Sequence, residues 1–121
     1  MIWCLYMGSL IAIDMSRIIT YNKLVRDQIP EIIEASGKKC DTAVLTDKDF
    51  LYMLDKKLGE EVKEYQESHE VEELADVLEV IYAIAKTKGV SKKQLEDIRA
   101  AKAEKRGAFE KKILLKSVTE D

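Results

Sequence analysis

DFLYMLDKKLGEEVKEYQES at residues 49–68 and EELADVLEVIYAIAKTKG at residues 72–89 decide how this chain folds. In the first stretch Leu51, Leu54, Leu58, Val62 and Tyr65 recur at steps of three and four, the period of an amphipathic helix. That pattern predicts a helix from about Lys48 to Ser68, with Asp47 as its N-cap. Gly59 is a mild defect in it, costing about 1 kcal/mol relative to Ala. In the second stretch Leu74, Val77, Leu78, Val80, Ile81, Ile84 and Ala85 predict a helix from about Glu70 to Lys88, stopped at Gly89. Its apolar arc covers about half the circumference, which calls for burial against more than one partner helix. Only the residues around Ser68 to Glu70 separate the two, so they are expected to pack as an antiparallel hairpin.

The acids in these helices are placed unusually. Glu61 and Glu64 lie three apart, as do Glu73 and Asp76, and residues so spaced share one side of a helix. At about 100° per residue, Glu61 falls in or beside the arc of Leu54, Leu58 and Tyr65, and Glu64 lies about 60° further round. Glu73 shares its direction with Val77, Val80 and Ile84, and Asp76 sits at the same border. A solvated charge face would set these groups opposite the apolar stripe; here they flank the surface that meets its neighbour. Both pairs belong to the half of the hairpin nearest its turn, so they can converge. Four converging carboxylates repel one another unless cations neutralise them or some are protonated. An all-oxygen donor set favours hard cations, Mg²⁺ or Mn²⁺. A di-iron site is disfavoured because it adds a Glu-x-x-His motif, and the residue three before His69 is Gln66.

Working outward, Pro30 suits the first turn of a short helix and Gly37 the position just past its end, with Ile29, Ile32 and Ile33 on one face. RIITYNKLV at 17–25 reads as an extended arm or short strand, and KKCDTAV at 39–45 as a weak extended segment. Ser91 and Gln94 form a capping-box pattern at the start of a third long helix that runs to about Arg106 and stops near Gly107. The tail AFEKKILLKSVTED is expected to form a short strand or a further helix, with Phe109 in the core. MIWCLYMGSLIAI at 1–13 is too short for a transmembrane helix of about 20 residues and lacks the basic start of a secretory signal. Residues 1–14 are therefore expected to be a leader that precedes a natural start at Met15, the alternative being an ordered N-terminal strand or an oligomer contact. Residues 15–121 then form a single domain.

Composition narrows the function. With 121 residues the chain makes one domain, and 46% apolar residues supply a core. A net charge of −3 argues against a general nucleic-acid binder. Cys4 and Cys40 lie in no CxxC, so zinc is not expected and both are read as reduced thiols. No G-x-x-x-x-G-K loop occurs, and His69 has no serine or cysteine partner for a nucleophilic triad. Asn22, Lys23, Arg26 and Asp27 form a polar cluster before Pro30. Lys23 and Arg26 suit a phosphate tail and Asn22 a base or sugar, or the cluster is a solvated turn. Lys102, Lys105 and Arg106 fall at a helix C-terminus, where the dipole favours cations in any case.

KLGEEVKEY (57–65) followed by EELADVLEVI (72–81) resembles the MazG-like superfamily of all-α nucleoside triphosphate pyrophosphohydrolases, whose hallmark is an ExxE pair followed by an ExxD pair. YNKLVRDQIPEII (21–33) and KAEKRGAFEKKI (102–113) look like the flanks of its phosphoribosyl-ATP pyrophosphohydrolase-like branch, so the likeness runs from about residue 18 to 115. Only eight residues separate Glu64 from Glu73, fewer than in many members, where a longer insertion helps to shape the base pocket. The resemblance implies an antiparallel helix bundle, all-α, with a four-helix-type core completed by dimerisation into a homodimer or homotetramer. It implies cleavage of a nucleotide between the α and β phosphates, with Mg²⁺ (or Mn²⁺) held by Glu61, Glu64, Glu73 and Asp76. It also strengthens a phosphate-contacting role for Lys102, Lys105 and Arg106. In that reaction Glu61 or Glu64 is the acid expected to orient the attacking water. The expected setting is cytoplasmic, clearing non-standard nucleotides, with no nucleic-acid or membrane partner. The alternatives are phosphoribosyl-ATP pyrophosphohydrolase in histidine biosynthesis and a non-catalytic helical oligomerisation module.

Overall fold

The computed structural model describes residues 2–6, 9–13 and 17–121, with side chains from Arg17 onward. Two strands open the chain, β1 (Ile2–Tyr6) and β2 (Ser9–Ile13), paired antiparallel with Ile2 opposite Ile13 and Tyr6 opposite Ser9. Every regular element described after them is helical: α1 (Ile29–Ala35), α2 (Asp47–Ser68), α3 (Val71–Thr87) and α4 (Lys92–Arg106). The body of the chain is thus all-α, and residues 2–6 and 9–13 pair as two antiparallel strands. The all-α expectation concerned the domain from residue 15, where every regular element described is a helix. None of the described helices is long and apolar enough to cross a membrane.

The helix ends follow local chemistry. Pro30 lies in the first turn of α1, and Gly37 leaves its end at φ 93°, a left-handed angle that costs glycine nothing. The cap of α2 is Thr46, one residue before the expected Asp47; its hydroxyl accepts the Asp49 N–H at 3.3 Å. With Thr46 outside the helix, Asp47 and Asp49 sit in the first turn, where the dipole favours acids. His69 turns the chain at φ 57°, its N–H donating to the Tyr65 carbonyl at 2.7 Å. Two residues later α3 begins. α3 closes with a Schellman pattern, Val90 N–H to Ala85 O at 2.8 Å and Gly89 N–H to Lys86 O at 2.9 Å. The capping box of α4 is complete: the Gln94 N–H donates to Ser91 Oγ at 3.1 Å, and the Ser91 N–H donates to Gln94 Oε1 at 2.8 Å.

α2 and α3 form the expected antiparallel hairpin, the main helix contact, and α4 touches α3 lightly. The core is small. Among the described residues only Leu54, Val80, Ala85 and Glu61 are buried. Leu74, Leu78 and Ile98, which the pattern assigns to apolar faces, are 45%, 44% and 50% exposed. Leu58, Ile81, Ile84, Ala85, Leu95 and Ile98 line an open apolar hollow between the hairpin and α4. The tail departs from expectation. Beyond Gly107 there is a turn near Glu110 but neither strand nor helix, and Phe109 is 99% exposed. Phe109 therefore belongs to no core within one chain. The stretches 17–28 and 38–46 lack regular structure up to the turn that enters α1.

Candidate metal centre

The site grows from the turn-proximal half of the α2–α3 hairpin. Helix phase aims Glu61 at α3, and it is the buried charged residue of the described chain, 7% exposed. Burying an unpaired carboxylate is costly. Lys57, one turn earlier on α2 and half-buried, brings Nζ to 3.2 Å from Glu61 Oε1 and 4.0 Å from Glu60 Oε2. Across the hairpin α3 presents Glu73, half-buried. Carboxylate oxygens of Glu61, Glu64 and Glu73 all lie within 4.8 Å of one another. Asp76 stands one turn further along α3, close enough for its charge to act on Glu73. On its other side, Asp76 Oδ1 accepts a 2.6 Å hydrogen bond from the Arg26 guanidinium.

Electrostatics records the crowding. The Glu73 carboxyl is raised above the ordinary carboxylate value, first by desolvation and then by the charges of Glu64, Asp76 and Glu61. Three acids from two helices thus share a small space, and their charges repel one another. Oxygens round a single Mg²⁺ at about 2.1 Å stand roughly 3 to 4 Å apart. The observed spread is slightly wider, and exposed Glu64 has the rotamer freedom to close it. The donor set, oxygen only and anionic, fits a hard divalent cation.

No family model matches the chain, and no curated protein or solved structure gives a significant match to it. The chemistry of the site therefore stands on its residues.

Of the residues singled out from sequence, Glu61, Glu64 and Glu73 come together as the acidic triad, and Asp76 joins its edge while engaged by Arg26. Arg26 is brought to the centre from a segment 50 residues away. Asn22 and Lys23 meet α2 in a shallow cleft with Met53, Lys56, Lys57 and Glu60. Asn22 adopts φ 48°, a left-handed conformation that Asn tolerates better than most residues, so it also shapes the arm. Lys102, Lys105 and Arg106 are exposed on the last turns of α4, and among the described residues no hydrogen bond or ion pair joins them to the acids. The residue beside the acids that pattern reading missed is Lys57. Its signal was present in the i,i+4 spacing to Glu61, although with Lys on the N-terminal side, the weaker orientation.

Proposed function

We propose that this chain is a MazG-like, Mg²⁺-dependent nucleotide pyrophosphohydrolase that splits the bond between the α and β phosphates and releases a monophosphate and pyrophosphate. The observation that carries the reading is the meeting of Glu61, Glu64 and Glu73 across the hairpin, with Asp76 beside them. Glu61, Glu64, Glu73 and Asp76 would hold Mg²⁺, or Mn²⁺ in its place. A bound divalent ion supplies Lewis-acid polarisation of a phosphoryl oxygen and a more acidic attacking water. Glu61 or Glu64 orients that water. Lys23 and Arg26 offset the charge of the phosphate tail, and Asn22 offers an amide to a base or sugar. Lys102, Lys105 and Arg106 join the phosphate contacts only where another subunit or a movement of α4 brings them in. The exposed apolar faces of Leu74, Leu78 and Ile98 support a core completed by dimerisation, to a homodimer or a dimer of dimers. The resemblance in residues 18–115 favours the clearing of non-standard nucleotides in the cytoplasm, with phosphoribosyl-ATP as the competing substrate.

The same exposed apolar surface favours a second reading, a helical oligomerisation module without catalysis. A pyrophosphate-release screen separates the readings. It sets Mg²⁺ against standard and modified nucleotides and phosphoribosyl-ATP. Release from any of these that is lost on chelation supports the enzyme; silence across the whole panel, with intact oligomers, supports the module.

A further inference from the structure

Arg26 and Asp76 form the only ion pair among the described residues that joins distant parts of the chain; the others span three or four residues within one helix. Both side chains remain substantially exposed, 59% for Arg26 and 40% for Asp76. An exposed pair of this kind contributes little to stability. Its place is informative for another reason. It pins the segment leading into α1 onto the rim of the acidic triad, and Asn22 and Lys23 of that segment rest against α2 beside Lys57. Arg26 and Lys57 are thus the cations that the chain itself lends to the acids.

We infer that Arg26 is a latch between two anions: it holds the arm on Asp76 when the acids lack a metal ion, and it passes to a phosphate once a divalent cation takes the acids. This rests on the metal-centre reading above. A divalent ion among Glu61, Glu64 and Glu73 puts two positive charges beside the Arg26–Asp76 pair, and with Asp76 as the fourth ligand of the proposed centre it also competes for the same Asp76 oxygen. The weak exposed pair gives way. A phosphate chain on the cation restores negative charge at that rim, and its oxygens suit a guanidinium better than one carboxylate oxygen does, because the fork can engage two of them. Arg26 is therefore a positioning residue whose two partners are bound in turn.

Removing Arg26 has opposite effects on two titrations, which a purely structural role does not produce. Arg26→Ala is expected to bind Mn²⁺ alone more tightly, by up to about fivefold. It is expected to bind pyrophosphate in the presence of Mg²⁺ about tenfold more weakly, with Arg26→Lys in between. Calorimetry reads both. In parallel, ¹⁵N order parameters of residues 21–27 are expected to fall in metal-free Arg26→Ala, and in the wild type on adding Mg²⁺. Shifts of the same sign in both titrations overturn the latch, as does an arm whose order is indifferent to both Arg26 and Mg²⁺. Wild-type protein that binds no Mn²⁺ at all overturns the metal centre itself, and metal-free order parameters unchanged by Arg26→Ala overturn the latch whatever the cation does.

Discussion

The two ends of the α2–α3 hairpin are unlike. At the turn end, Glu61, Glu64, Glu73 and Asp76 crowd together, and Lys57 and Arg26 offset part of their charge. At the open end, Leu58, Ile81, Ile84, Leu95 and Ile98 line a mainly apolar hollow with Lys88 at its edge, and α4 covers only part of it. One end carries excess like charge, the other uncovered apolar surface. Under the proposed function a divalent cation would relieve the first cost and a further apolar surface the second. On that proposal the sparse core, Leu54, Val80 and Ala85, would gain stability from both additions.

The largest expected effect breaks the turn end. Glu61→Gln should lower pyrophosphate release by at least about 100-fold while circular dichroism shows the helices intact, because losing a ligand exceeds the usual cost of losing its supporting partner. Activity preserved in that variant would remove Glu61 from the mechanism. Next, Ile98→Glu challenges the open end. On a half-exposed site of an isolated chain a charge should cost under about 0.5 kcal/mol, but where a second surface covers it the cost is about 2 kcal/mol and sedimentation should show dissociation.

A third experiment joins pH to metal. Because the Glu73 carboxyl is raised in the fold, the folded chain holds that proton more firmly than the unfolded one. The contribution favours folding below the ordinary carboxylate range and is lost as pH rises through the raised value. Metal-free protein should therefore melt lower at neutral than at mildly acidic pH as far as this group is concerned, and Glu73→Gln should flatten that slope. Mg²⁺ at about ten times its Kd should restore about 1.4 kcal/mol at neutral pH, read from melts with and without chelator. The smallest effect sharpens the open end: Ser91→Ala removes the cap of α4 and should cost about 1 kcal/mol, with no change in cation binding.

Much of this was legible before any coordinates. The spacing of Leu51, Leu54, Leu58, Val62 and Tyr65 foretells α2, Ser91 with Gln94 foretells the start of α4, and the phase of Glu61 and Glu73 foretells acids turned toward a neighbour. These features come from residues within a few positions of one another, so a fixed helical period carries them. Thr46 rather than Asp47 as the cap was not legible, since either side chain can accept the bond and the choice depends on where the chain enters the helix. Nor was the fate of the tail. The apolar run Ile113–Leu114–Leu115 suits a strand or a helix, and without a partner surface neither forms; these residues stay 76–80% exposed.

By itself, then, the amino-acid order determined the helices from Pro30 to Arg106, their main stops, and the two acid pairs on inward-turned faces, because all of these follow from local propensity and period. Only the tertiary structure decided that three acids from two helices share a space within 4.8 Å, that Lys57 shields the buried one, and that Arg26 reaches across 50 residues to Asp76. Charges meet across a fold according to how elements pack, and that distance is not a function of their separation along the chain.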